Sequence, residues 1–263
     1  MAPFTVSGLT GIINQLLPEP HAGLLSGLLF GVKANLPRDF YDALVTTGTL
    51  HIIALSGMNI SIMEDLVATM LRSLIGTRIA GLITMILIVW FVWFVGPSPS
   101  IVRAAIMGSI SLLAVLFGRQ YWAILSWVLA IATMLLINWS WIGNLSFQLS
   151  ALATLGIILF GPKKDTGKNG LMTDLRLTLA AQTFTVPLIF FQFRRISLVS
   201  AFANLAIGWL IAPLTMLGWA TVLVGWLLLY AGQVLAWFDW VLLEYLVRII
   251  YLMSKVPFAS IGW

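Results

Sequence analysis

Two stretches of this chain, Gln120–Pro162 and Ile196–Phe238, carry no charged side chain, and each runs for 43 residues. A helix crossing the hydrocarbon core of a bilayer needs about 20 apolar residues, so each stretch has room for two crossings. The asparagine-flanked "NWSWIGN" (Asn138–Asn144) reads as the turn of the first pair, and Ala212-Pro213 as the division of the second. The remaining composition agrees. Hydrophobic residues make up 60% of the chain and charged ones 9%, and the mean hydropathy is +1.03. A soluble domain carries about 25% charged residues. Polar surface is too scarce here to clothe a water-soluble particle, and lipid is the expected solvent.

Single spans are expected at Ile79–Val95, Ala104–Phe117 and Leu177–Phe193, the last kinked at Pro187. The Gly48–Arg72 stretch gives another. Gln233–Met253 is amphipathic, with Glu244 and Arg248 at i,i+4 spacing, and either spans or lies at the interface. "AGLLSGLLFG" (Ala22–Gly31) is too short to cross. Its stripe of Gly23, Gly27 and Gly31 suits close helix packing in a re-entrant or interfacial element. The expected fold is therefore all-α, a polytopic integral membrane helical bundle of about seven to nine membrane elements including broken or re-entrant helices. It forms one membrane domain over residues 1–263, with a short N-terminal segment 1–17 and a cytoplasmic-type basic loop at 161–176.

The formal net charge is +5. Arg72 with Arg78, then Arg119, then Lys163, Lys164, Lys168 and Arg176 fall in loops that share one face if each intervening segment crosses once. The positive-inside rule makes that face cytoplasmic. Arg194-Arg195 then falls opposite, so a nearby element stops short of crossing or these arginines have another task. The opening "MAPFTVSGLTGIINQLLPEP" lacks a basic n-region and a clean apolar core, so the membrane segments are expected to direct insertion. With no cysteine, the chain has no disulfide, thiolate ligand or cysteine nucleophile.

"TLHIIALSGMNISIMEDLV" places polar groups where a simple anchor would carry leucines. Ser56-Gly57 weakens the helix, and unwound backbone at membrane depth survives only inside protein or along a wet cavity. Beyond the break, Ser61, Asp65, Ala68 and Arg72 share one helical face. Glu64 and Asp65 either face the bundle interior or sit at headgroup level paired with Arg72 or Arg78. In "GPSPSIVRAAIMGS", Ser98 or Ser100 could cap a helix opened by Pro99. Arg103, one turn in, holds a phosphate or snorkels to the headgroups. Ala104, Gly108 and Ser111 give that helix a small-residue edge. "NLSFQLSALATLG" puts Ser146, Ser150 and Ala153 on one face and Gln148 on another; with Asn204 these read as interhelical hydrogen-bonding groups or the lining of a hydrated path. The chain's 12 tryptophans include Trp122, Trp139 and Trp141 at segment edges, where aromatic belts form.

Catalysis finds little support. Ser56, His51 and Asp65 share one segment without a nucleophile elbow. His21 and His51 are the two histidines, too few for a metal site without a carboxylate motif, and His51 suits a hydrogen-bonded role. There is no Gly-Lys phosphate loop. An intramembrane enzyme using Asp65, Glu64 or His51 is the least favoured class; the chain is expected to have no enzyme activity, cofactor or metal.

Five blocks occur in order: "LPEPHAGLLSGLLFGVKANLP", "TGTLHIIALSGMNISI", "PSIVRAAIMGSISLLAVLFGRQ", "LSFQLSALATLGIIL" and "TVPLIFFQFRRISLVSAFANLAIGWLIAPL". In this order they resemble the ComEC competence-protein family over roughly Leu17 to Pro257. The resemblance implies a multi-pass channel in the bacterial cytoplasmic (inner) membrane that carries single-stranded transforming DNA during natural competence. The positions matching the family's polar residues are His51, Ser56, Gly57, Arg103, Arg119, Gln148, Ser150 and Asn204. Asn59 stands where the family usually has histidine, and with Asp65 it completes the candidate path. The implied partners are single-stranded DNA, the lipid bilayer, a separate DNA receptor, nuclease and motor ATPase, and a second copy of the chain. The oligonucleotide-binding-type and metallo-β-lactamase-like domains of many members do not fit within these residues, so their nuclease activity is not carried over. The runner-up is a transporter or pore for a smaller solute.

Overall fold

The computed structural model describes residues 3–32, 36–53, 57–162 and 170–262. In chain order its helices are α1 (Val6–Leu16), α2 (His21–Phe30), α3 (Arg38–Thr47), α4 (Gly57–Val95), α5 (Pro99–Leu116), α6 (Ala123–Ile137), α7 (Leu145–Phe160), α8 (Gly170–Phe193), α9 (Ser200–Leu227) and α10 (Leu229–Ser254). Two three-residue strands, β1 (Arg195–Ser197) and β2 (Ser260–Gly262), pair antiparallel and add a small ribbon to the expected all-α fold. The described residues gather into two compact units: 3–53, 170–178 and 189–262 in the first, 57–162 and 179–188 in the second. Among the described residues three helices, α4, α5 and α9, are long and apolar enough to cross a membrane, and α2, α6 and α7 are shorter apolar helices.

In the first unit, α1 buries Leu9, Ile12, Ile13 and Leu16 along one stripe. Every residue of α2 is buried, Gly27 lies against Ile53, and Gly31 ends the helix in the left-handed conformation. Of the glycine stripe, Gly27 makes the close approach that its spacing suggests, and Gly31 serves the helix end instead. α9 and α10 form a hairpin broken at Leu228, whose backbone is extended. Pro213 does not divide this stretch, contrary to expectation: α9 runs through it. A proline removes one backbone donor, and a packed membrane helix tolerates that loss. Pro187, in the part of α8 that belongs to the second unit, likewise lies inside its helix. The Glu244–Arg248 pair of α10 forms, with Arg248 Nε donating to Glu244 Oε1 at 2.6 Å.

In the second unit, α4 has 39 residues and one non-helical residue, Gly76, at φ 78° and ψ 164°. A straight helix of that length would be about 58 Å long. Yet Gly57 at its start faces Ser100, Arg103 and Ala104 of α5, and Val95 at its end joins α5 through only Gly96, Pro97 and Ser98. Both ends of α4 therefore lie at the same end of the unit. Gly76 turns the helix back on itself, and residues 57–75 and 77–95 are two limbs. The second limb buries Ala80, Gly81, Thr84, Ile88 and Phe91, with Gly81 against Leu116 at the far end of α5. The Gly48–Arg72 span is corrected at its start. Gly48 ends α3, a short 3-10 turn covers Leu50–Ile52, and the long helix begins at Gly57.

Glycine alone adopts the backbone conformation of Gly76 without strain, and a Cβ there meets nothing within 4 Å. Gly76→Ala is expected to destabilise by an order of 1 kcal/mol through backbone strain alone. The thermal midpoint in micelles should fall by about 2–4 °C, whereas Gly11→Ala, equally open, should not lower it.

The connection Asn138–Asn144 is the expected turn. Asn138 Oδ1 accepts from the Ser140 amide and hydroxyl, and Asn144 Oδ1 accepts from the Ser146 amide. The Gly76 turn with Arg72 and Arg78, and the α5 terminus with Arg119, share one end of this unit; Gly57, Ser100 and Ser146 mark the other.

Candidate functional site

Where α4, α5 and α7 begin, the second unit carries a polar seam. Ser98 takes the N-cap position of α5 and Pro99 the first turn, without a side-chain cap bond from Ser98. The Ser100 hydroxyl instead meets the Ser146 hydroxyl on α7 at 3.1 Å. One turn further along both helices, Arg103 Nη1 donates to the Ser150 carbonyl oxygen at 2.5 Å. Thr154 Oγ1 donates to the same oxygen at 3.0 Å. Arg103 is half-buried between helices, so its head turns inward rather than snorkelling.

Gly57 permits this. A Cβ at that position would stand 2.8 Å from Arg103 Nη2 and 3.2 Å from the Ala104 methyl. Further along α4, the Glu64 carboxylate rests on Gly108 of α5. Asn59 is 3% exposed.

The expected inward face of α4 is displaced. Ala68 is buried, while Ser61, Asp65 and Arg72 of the same set are exposed. Glu64, one position from Asp65, takes the inward place, its carboxylate seated where a side chain on Gly108 would stand. The small-residue edge of α5 carried that signal in the sequence.

Two further candidates of the second unit take no part in these contacts. Gln148 Nε2 donates to the Ile142 carbonyl at 2.8 Å and ties down the turn before α7. Arg119 closes α5: Gly118 has φ 61°, and the Gly118 and Arg119 amides bond the Val115 and Ala114 carbonyls. Its side chain lines an open cleft of about 450 Å³ with Gln120, Tyr121 and Trp122. His51 and Asn204 belong to the first unit. His51 is exposed, its Nδ1 3.2 Å from the Gly48 carbonyl, and Asn204 is half-buried on α9. Ser56 lies outside the described residues. Among the described residues no cluster of His, Asp or Glu could hold a metal.

Two polar contacts in the first unit, one buried and one half-buried, have no counterpart in the sequence analysis. Thr221 Oγ1 of α9 donates to Asp239 Oδ2 of α10, and Asp239 is 0% exposed. His21 Nε2 lies 3.0 Å from Glu244 Oε2. Neither has a local signature, since each pair is joined only by folding.

A family model described as Competence protein matches residues 28–263. ComE operon protein 3 of Bacillus subtilis (strain 168) is 25% identical over 193 residues, covering 73% of this chain and 25% of that protein. The uncharacterized protein YcaI of Escherichia coli (strain K12) is 26% identical over 243 residues, covering 85% of this chain and 32% of that protein. The chain thus spans about a quarter to a third of these curated relatives. No solved structure matches it.

Proposed function

This chain belongs to the competence-protein family, and we propose that its membrane helices form a channel carrying single-stranded DNA across the bacterial inner membrane during natural competence. One observation supports this most: an arginine drawn between three apolar helices and held there by a carbonyl oxygen, beside two serine hydroxyls. A membrane bundle bears the cost of inward charge where a polar or charged group must be met. A DNA strand presents phosphates, and arginine is the side chain best matched to them.

In this reading seven to nine membrane elements cross or enter the bilayer, with the two limbs of α4 counted separately. The end bearing Arg72, Arg78 and Arg119 faces the cytoplasm, which puts the seam on the side where the strand arrives. The chain provides passage rather than catalysis. A surface receptor, a nuclease that removes the complementary strand, a motor ATPase and a second copy of the chain are the partners this division of labour calls for.

Deleting the gene from a transformable host is expected to abolish transformation while DNA still binds the cell surface. Wild-type transformation in the deletion strain would reject strand passage and leave a pore for a smaller solute.

A further inference from the structure

Arg103 offers more donors than the fold uses. A guanidinium has five N–H groups, and among the described residues Arg103 makes one hydrogen bond, from Nη1 to the Ser150 carbonyl. Its Nε is buried without a partner. The ion pairs found among the described residues are His21–Glu244 and Arg248–Glu244, and neither includes it. Glu64, on Gly108 further along α5, does not reach it.

The unused donors are grouped. Nε and Nη2 form one edge of the planar head, the edge that grips two oxygens of a single oxyanion through parallel hydrogen bonds. The Nη1 bond to Ser150 holds the opposite corner, so the head is oriented before any ligand arrives. Gly57 flanks Nη2 without a side chain to cover it. The Ser100 and Ser146 hydroxyls lie one turn away, exposed, on the same faces of α5 and α7.

We propose that the Nε–Nη2 edge of Arg103 is a two-pronged grip for one phosphodiester of the passing strand. This rests on the strand-passage reading and adds a contact of defined geometry. Two non-bridging oxygens of one phosphate match the spacing of the edge. A lysine would supply the charge without the fork. Gly57 matters because a methyl group there displaces the fork and leaves its charge intact.

The test uses the full chain in zwitterionic lipid nanodiscs and a fluorescent oligonucleotide of about 16 nucleotides, the upper end of single-strand groove site sizes. Binding is followed by anisotropy across a salt series. Arg103→Lys is expected to weaken binding about tenfold while leaving the salt slope unchanged, because the charge remains but the bidentate geometry is lost. Arg103→Ala should weaken it at least as much and reduce the slope by about 0.7, the contribution of one phosphate contact on a single strand. Gly57→Ala should behave as Arg103→Lys does. With a methylphosphonate oligonucleotide, whose backbone is uncharged, wild type and Arg103→Lys should bind alike. Wild-type thermal midpoints for the lysine and Gly57 variants would show that folding is intact.

If the wild type binds the oligonucleotide and all three variants match it, the grip is wrong and strand passage stands. If the wild type binds no oligonucleotide, both fall. If dependence on Arg103 appears with phosphatidylglycerol nanodiscs and not with the oligonucleotide, the ligand is a lipid headgroup and the proposal is overturned.

Discussion

Gly232→Leu is expected to abolish the folded first unit, with no cooperative thermal transition in micelles and loss of the chain from the membrane fraction. α9 and α10 meet at Gly225 and Gly232, where a Cβ on Gly232 would stand 2.5 Å from the Gly225 Cα and 2.9 Å from its amide nitrogen. Those atoms are backbone and have no rotamer to move into. A Cβ on Gly225 would also press on Leu16 and Ile12 of α1, and Gln233 Nε2 donates to the Leu16 carbonyl at 3.2 Å, satisfying the end of that helix. Parting the hairpin therefore opens the α1 contact as well. Overpacking a core by a methylene or so typically destabilises by about 1–3 kcal/mol, so Gly232→Ala should fall in that range and the larger leucine beyond it. Gly208 provides the control. It lies on the same α9 with nothing within 4 Å of its Cβ position, and Gly208→Ala should be neutral or stabilising by up to about 1 kcal/mol. If Gly232→Ala proved as neutral or stabilising as Gly208→Ala, helix propensity rather than close approach would govern both sites.

The same glycines show which parts of the fold were legible. Uncharged runs, the asparagine-flanked turn and the i,i+4 pair of Glu244 and Arg248 are local, and the structure repeats them. Breaks were harder to place. A proline at 213 weakens a helix wherever it stands, but packing along α9 outweighs one missing donor, and the chain turns instead at Leu228 beside the Gly225–Gly232 crossing. The reversal at Gly76 fell in the charged interval between two expected spans, so the two limbs were foreseen although the residue that turns them was not. Glu64 and Asp65 differ by one register position, and the close approach of α4 to Gly108 brings Glu64 inward. For Arg103 the sequence left phosphate holding and snorkelling equally open. The Ser150 carbonyl, 47 residues away, turns its head inward.

Thr221→Val is expected to destabilise by about 3 kcal/mol, the upper part of the range for orphaning a buried acceptor. For a chain of this size that lowers the thermal midpoint by roughly 6–12 °C. Asp239 is fully buried between α9 and α10, Thr221 Oγ1 is the donor to its Oδ2, and its Oδ1 has no partner among the described residues. Valine keeps the shape of threonine and removes the one donor, leaving the carboxyl with neither water nor protein. The reverse deletion is milder. In Asp239→Ala the Thr221 hydroxyl can turn to the carbonyl four residues back on its own helix, as Thr215 already does toward Ile211. The two changes should thus be unequal, and Thr221→Val combined with Asp239→Ala should recover most of the stability lost by the valine alone. Recovery occurs because removing both partners is nearly neutral where removing one is not. A double variant that simply sums the two losses would show that the contact does not couple the helices. Thr221 and Asp239 would then be separate packing residues of the α9–α10 hairpin.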